Sequence, residues 1–428
     1  MTELSRRAFA RFLAIGGGAA LWPSHAVAQR FDGHRPLPPT PAEPDETFWK
    51  EVRARFLLPD DLIFLNAANL CPTSTAVVEA LERNTRFLDA NPSPASRSRL
   101  ADGREESRRL IADALRVTAE EIVMTRNASE ANNLVSSGLR LGAGDEVVVF
   151  GDNHQSNLNA WREKARRFGF AVIEVGRTSP HPGPAPYVES FVRAITPRTR
   201  VLAITHVTNS IGDMLPVEEL CRLARERGVL SLVDGAQTFG VLDVDLGRMR
   251  PDFYSGSAHK WPCAPKETGV LYINREVHDR LAPSIVSLYG GRVGISRTHE
   301  AFGQRDEAAL ATLGAAVRFQ SGIGRPVIEA RVRRLAGRLA SGLADIEGVR
   351  LLTHRDPARS AAIVVFSPAR ADARTLVAAL YEKERIVGAV TGSPNAVGAR
   401  FSPHFYNTID EIDRTIDAVR RALLPSGL

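Results

Sequence analysis

Lys260 stands between a histidine and a tryptophan in the stretch SGSAHKWPCAPKETGVLYI, residues 255–273. A lysine partly withdrawn from water has a lowered pKa and attacks carbonyl carbon readily. Asp234 closes the apolar run of LSLVDGAQ, with Gln237 three residues on. A carboxylate at a buried strand end is costly unless a cation meets it. In MTRNASEANN an apolar run gives way to a helix with Asn127 and Ser129 near its start, the kind of N-terminus that binds anions. In FGDNHQSNLNAW, His154 follows another apolar run and can stack on a flat ring. Each feature alone has a plain alternative: a surface lysine, a turn-capping aspartate, an ordinary N-cap, a loop histidine. Together they provide an amine for an aldehyde, a carboxylate for a ring nitrogen, a phosphate cradle and a stacking group. These are the needs of pyridoxal 5′-phosphate (PLP).

Positioning them requires a sheet whose strands all end near one crevice. Short apolar runs at 62–66, 121–125, 146–150, 171–175, 201–207, 229–234, 252–257 and 269–273 predict strands. Helical periodicity covers 75–88, 101–116, 128–139, 157–168 and 216–228 between them. Wholly apolar strands alternating with amphipathic helices indicate a mainly parallel sheet covered on both faces. In such sheets ligands bind beyond the C-terminal strand ends. Long helical patterns follow at 306–320 and 325–346. Strands near 349–353 and 361–367 then alternate with helices near 371–383 and 409–424, an α+β layer.

The run VDGAQTFGVLDVDLGRMRPDFYSGSAHKW resembles the cofactor region of class V aminotransferases, the fold-type-I PLP enzymes that include cysteine desulfurases and isopenicillin N epimerase-like proteins. FLNAANLCPTS, TRNASEANN, NHQSN, HVTNSIGDMLPV, GQRDEAAL and ARFSPHFYNTIDEID extend the likeness from about residue 60 to 425. The resemblance implies an α/β fold with a seven-stranded, mainly parallel sheet. It divides the chain into a large PLP-binding domain over 60–300 and a small C-terminal α+β domain over 301–428. It makes Lys260 the Schiff-base lysine and Asp234 the acid on the ring nitrogen. Gln237 would bond the phenolic oxygen, and His154 would stack on the ring. Ala128, Ser129, Ser257 and His259 would hold phosphate, with Ala128 replacing the hydroxyl residue common there. Asn209 would lie near the ring oxygen and the substrate carboxylate, which Arg400 would receive as a bidentate fork. Gln304, where the family favours threonine, would reach a neighbouring subunit's phosphate, which implies a homodimer.

The implied activity is a transferase of class V acting on an amino acid, with Lys260 as base at Cα. An isopenicillin N epimerase-like epimerase or a C–S lyase is the alternative, and an inactive binding protein of the same fold the non-enzymatic one. Desulfurase chemistry of the usual kind is not expected, because AVTGSPNAVGAR lacks the cysteine that precedes the carboxylate arginine in that branch.

The 428 residues carry a net charge of +6, with the basic residues dispersed, so no nucleic-acid partner is expected. Three cysteines without CxxC spacing predict neither a disulfide framework nor a metal site. The N-terminus, MTELSRRAFARFLAIGGGAALWPSHAVAQR, looks like a twin-arginine signal over 1–28. It has Arg6-Arg7, a short apolar stretch and cleavage after Ala28. That implies handling by the twin-arginine export machinery and a periplasmic or exported location. The apolar stretch is too short and glycine-rich for a stable membrane anchor. A Pro-rich leader and N-terminal segment, 29–59, is expected to follow.

Overall fold

Four strands adjacent in the central sheet have every side chain but one buried, and this is why they show no apolar–polar alternation. They are β3 (Glu146–Phe150), β5 (Thr199–Thr205), β6 (Leu230–Asp234) and β7 (Phe253–Ser257). The computed structural model describes residues 37–369, 371–391 and 397–424. The expected export signal and the start of the Pro-rich leader lie outside these residues. Among the described residues no helix is long and apolar enough to cross a membrane.

The remaining strands are β1 (Ile63–Phe64), β2 (Ile122–Thr125), β4 (Ala171–Val175), β8 (Gly269–Ile273), β9 (Val349–Leu351), β10 (Val364–Pro368), β11 (Ile386–Val387), β12 (Ala389–Val390) and β13 (Ala399–Phe401). The larger helices are α1 (Glu46–Arg53), α2 (Thr75–Ala90), α3 (Pro94–Leu115), α4 (Ala128–Gly138), α5 (Gln155–Phe168), α6 (Pro184–Ala194), α7 (Val217–Glu226), α8 (Glu307–Ile323), α9 (Arg325–Ala344), α10 (Ala373–Glu384) and α11 (Ile409–Ala422).

The central sheet has seven strands in the order β2-β8-β7-β6-β5-β3-β4. β4, β3, β5, β6 and β7 pair in parallel, and β8 alone runs against its neighbours. This is the mainly parallel α/β sheet expected. Register sets Asp234 beside Thr205 on one side and Ser255 on the other, so β5, β6 and β7 end together.

A four-stranded antiparallel sheet, β12-β13-β10-β9, forms the C-terminal layer and buries its apolar face against α9 and α11. Three elements depart from the sequence reading. The strand expected at 62–66 is not in the central sheet; β1 pairs in parallel with β11, and Ile63 and Leu65 join the C-terminal core. Its apolar character marked burial but could not say against what. α8 lies within the stretch expected as a C-terminal domain, yet packs on α2 and α3. Ser107 Oγ donates to Ala311 O (3.1 Å) and accepts from Gly314 N (2.8 Å). α1 lies in the N-terminal segment expected over 29–59, for which no helix is predicted. It is a helix capped by Asp45, and it buries Phe48, Trp49 and Val52 in the main core.

The edge strand β2 is held by a buried ion pair. Arg108 and Glu300, both fully buried, form a two-pronged bridge of 2.6 and 3.0 Å. Glu300 Oε2 also accepts from Met124 N (2.7 Å), and Arg108 Nη1 donates to Ile122 O (2.8 Å). Every strong donor and acceptor is therefore used, the condition under which a buried pair is tolerable. The clamp fixes the strand that leads directly into α4.

Candidate active site

Asp234 is buried at the last position of β6, where three N–H groups orient it. Asn132 donates to Oδ2 at 2.9 Å, Asn157 to the same oxygen at 3.3 Å, and Ala236 N to Oδ1 at 3.0 Å. Gly235 follows because a Cβ there would lie 2.0 Å from the Tyr254 ring, an impossible contact.

Lys260 sits three residues past the end of β7, in a turn closed by Cys263 N donating to Lys260 O (2.9 Å). Burial pushes its amine down to about 8. Asp234 pulls the other way and Arg400 adds to the depression. His154 responds to the same three charges. Loss of water lowers its proton affinity, Lys260 and Arg400 lower it further, and Asp234 opposes them. Lys260, Asp234, His154 and Arg400 therefore form one electrostatic group, although the sequence separates them by up to two hundred and fifty residues.

His154 is the N-cap of α5. Its Nδ1 accepts from Ser156 N at 3.2 Å and lies 2.8 Å from Ser156 Oγ. Ser129 Oγ donates to that same oxygen at 2.9 Å. The result is a relay from Ser129 through Ser156 to His154. It assigns the lone pair to Nδ1, so the proton of the neutral ring sits on Nε2.

Ala128 and Ser129 are the first two residues of α4, where backbone N–H groups lack intrahelical partners. Ser257 Oγ, at the end of β7, accepts from Ala128 N at 2.9 Å. A helix N-terminus, two serine hydroxyls and a strand end thus meet at one corner suited to an anion. His259 follows Ser257 by two residues, its imidazole pushed down to about 4 by burial and by Lys260 and Lys266.

Gln237 is more constrained than expected. Its Oε1 accepts from Trp261 Nε1 (2.8 Å) and its Nε2 donates to Ala68 O (3.0 Å), leaving one N–H for a ligand. Arg400 lies on β13, buried, and reaches across from the C-terminal layer. Nη1 donates to Asn209 O at 2.8 Å and Nη2 to Asn66 Oδ1 at 3.3 Å, while Nε has no partner. The contact uses the main-chain oxygen of Asn209 rather than its side chain.

Gln304 is exposed, accepts from Arg97 Nη2 (3.2 Å), and lines a cleft of about 680 Å³ with Arg126, Glu130, Lys266 and Arg305. Four residues here escaped the sequence reading: Asn66, Asn132, Asn157 and Ser156. The signal for Asn132 and Asn157 was a lone amide on a helix face otherwise buried; Ser156 and Asn66 carried none.

The residues fit PLP. The anion corner suits a phosphate, the oriented Asp234 carboxylate suits a protonated ring nitrogen, and Lys260 offers an amine of lowered proton affinity. The buried Nε of Arg400 still lacks an acceptor.

Comparison with known proteins agrees. The pattern described as Aminotransferase class-V matches residues 63–415. Isopenicillin N epimerase from Streptomyces clavuligerus is 34% identical over 396 residues, 87% of this chain and 97% of that protein. A probable cysteine desulfurase from Methanothermobacter thermautotrophicus is 28% identical, covering 85% and 95%. Among solved structures, the apo cysteine desulfurase of Thermococcus onnurineus NA1 superposes with a TM-score of 0.77 at 26% identity, over 87% of this chain and 98% of that one. The Escherichia coli cysteine desulfurase CsdA gives 0.77 at 27%, over 89% and 99%. The fold is that of the fold-type-I PLP enzymes, and pyridoxal 5′-phosphate is the cofactor. The chain belongs to the class V aminotransferase family of PLP-dependent enzymes.

Proposed function

We propose that this enzyme takes the Cα proton of an α-amino acid onto Lys260 and that a solvent-derived proton is delivered to the opposite face of the same carbon, epimerising the substrate. One observation carries the first half. A lysine with its amine lowered to about 8 shares an electrostatic group with a buried arginine whose Nε is unpartnered. Arg400 would bind the α-carboxylate through its free edge and so fix Cα. Lys260, neutral in a sizeable fraction near pH 8, would then accept the proton. When bound, the cofactor supplies an electron sink for the pair left behind. Asp234 would hold the proton on its ring nitrogen, with Asn132 and Asn157 keeping that carboxylate aimed. Ala128, Ser129, Ser257 and His259 would hold its phosphate. His154 would cover the ring, and Gln237 would donate its remaining N–H to the ring oxygen.

Reprotonation of Cα on its opposite face is favoured over transamination by the two isopenicillin N epimerases at 34% and 31% identity, each matched over nearly its whole length. Sulfur transfer to an enzyme cysteine is disfavoured by the cysteines themselves. Cys71, Cys221 and Cys263 are all buried, and burial raises the Cys221 thiol to about 12. A dimer completing the site through the 303–306 loop is supported by exposed Val286, Leu288 and Tyr289 beside Gly303. Export through the twin-arginine route remains part of this reading on the strength of Arg6-Arg7 and Ala26-Val27-Ala28.

The test is incubation of holoenzyme with a panel of α-amino acids in deuterium oxide. Deuterium at Cα with both configurations in the product supports the proposal. Keto acid that requires an acceptor would replace it with transamination, and pyruvate with sulfide would replace it with C–S lysis. No exchange with any amino acid would make the protein a binding protein.

A further inference from the structure

Behind the lysine turn lies a second cluster that this chemistry does not use. Cys71 Sγ, Cys263 Sγ and one nitrogen of His404 all lie within 4.8 Å of one another, and all three residues are buried. His404 Nε2 donates to Trp261 O at 2.7 Å, so the lone pair is on Nδ1. That Nδ1 is fully buried and has no hydrogen-bond partner, and the buried Tyr406 hydroxyl lies beside Cys71. A buried, unpartnered lone pair on a histidine whose ring reaches two sulfurs needs an explanation.

We propose that Cys71, Cys263 and His404 bind a soft divalent cation of the zinc type, with the Tyr406 hydroxyl beside the fourth position. Two sulfurs and one imidazole nitrogen are a zinc donor set, and the donors need to close by only about 1 Å to reach tetrahedral spacing. The imidazole already donates its other N–H to a backbone carbonyl, the arrangement that orients metal-bound histidines. Binding releases one proton from each thiol to solvent and transfers no electrons. Two thiolates cancel the charge of the cation, so the buried site is neutral. A disulfide between the two cysteines would leave Nδ1 of His404 without a partner, and the metal is therefore preferred. The spacing of the cysteines hid the site, because its donors come from three distant segments.

The site would act as a staple on the lysine turn. Cys71 N donates to His259 O (2.9 Å), Cys263 N to Lys260 O (2.9 Å), and His404 Nε2 to Trp261 O. Each proposed ligand thus already grips residue 259, 260 or 261. The left-handed backbone of Cys263 (φ 56°), unusual for a residue other than glycine, aims its sulfur into the cluster.

Because the donors are buried, the metal must be present as the chain folds. The full-length protein should be produced in zinc-supplemented cells, purified with its cofactor, desalted and measured for metal by mass spectrometry. One equivalent of zinc per chain is expected, with two sulfurs in its coordination shell by X-ray absorption. Cys71→Ser should lower bound zinc by about tenfold or more while far-UV circular dichroism stays unchanged. Wild-type protein that keeps no zinc, a shell of oxygen and nitrogen only, or a Cys71–Cys263 disulfide in the intact mass would each overturn the proposal. None of these results bears on Lys260, which is tested separately by its own covalent chemistry.

Discussion

Arg400 Nη1 donates to the carbonyl oxygen of Asn209 at 2.8 Å, tying the C-terminal sheet to the loop that follows β5. The same guanidinium is buried and lowered to about 10 by loss of water, and no carboxylate pairs with it among the described residues. A buried cation without an anion is expensive. The fold tolerates it because two oxygens take part of its hydrogen bonding and leave one edge free.

Arg400→Lys keeps the charge and loses the fork. Loss of one of two parallel hydrogen bonds to a carboxylate should lower kcat/KM by about 10- to 100-fold, mostly through KM. The visible absorbance of the bound cofactor should not change. Steady-state kinetics with an exchanging amino acid would check this, and an unaltered KM would remove Arg400 from substrate binding.

The lowered amine of Lys260 gives a pH dependence with a definite sign. Only the neutral amine accepts a proton. With burial holding the group at about 8, kcat for Cα exchange should rise as pH increases toward 8 and flatten above it. Asp234 raises the proton affinity of Lys260, so Asp234→Asn should move any residual inflection to lower pH. A profile that is flat from pH 6 to 9 would contradict the role of this amine.

Much of this arrangement was legible before the structure, for a physical reason. β3, β5, β6 and β7 are buried on both faces, so their sequences show no apolar–polar alternation, and a polar residue that ends an apolar run is conspicuous. Asp234 stood out in this way, whereas Ser257 followed only from the family resemblance. Parallel pairing then brings such ends to one edge, whatever the distance in sequence. What could not be read was partnership across layers. Nothing local says that Ile63 pairs with Ile386, or that α8 leaves its sequence neighbours to pack on α3. The single amides Asn132 and Asn157 look like ordinary helix residues until Asp234 is set between them. α1 was hidden by the proline-rich stretch before it, because eight residues hold too little periodicity to outweigh their flank.

Ser156 links the anion corner to the stacking histidine. Ser156→Ala removes the hydroxyl that bridges Ser129 and His154 and leaves the backbone contact from residue 156. Loss of about 0.5–1.5 kcal/mol should raise the cofactor dissociation constant by about 2- to 13-fold. The melting temperature of the cofactor-free protein should be little changed. Spectroscopic titration with PLP measures the first and thermal unfolding the second.

Asp213 gives a stability prediction. Both its carboxylate oxygens are buried without partners, and burial, with Asp152, raises it from 3.8 to about 7 against the pull of Arg177. The folded state therefore holds this proton more tightly than the unfolded chain. Stability from this group is full below pH 4 and is lost as pH rises toward 7. Asp213→Asn cannot ionise. It should be nearly neutral at pH 4 and stabilising by about 2 kcal/mol at pH 8, after discounting for solvent screening. Denaturant melts at the two pH values would check the sign, and equal effects at both would refute it.

The most direct test of the central claim is borohydride reduction of the holoenzyme followed by peptide mapping. A pyridoxyl group on Lys260, in the peptide spanning residues 255–273, is the expected result, with no label in Lys260→Ala. A label on any other lysine, or none on the wild-type chain, would contradict the assignment of Lys260 as the residue that carries the cofactor.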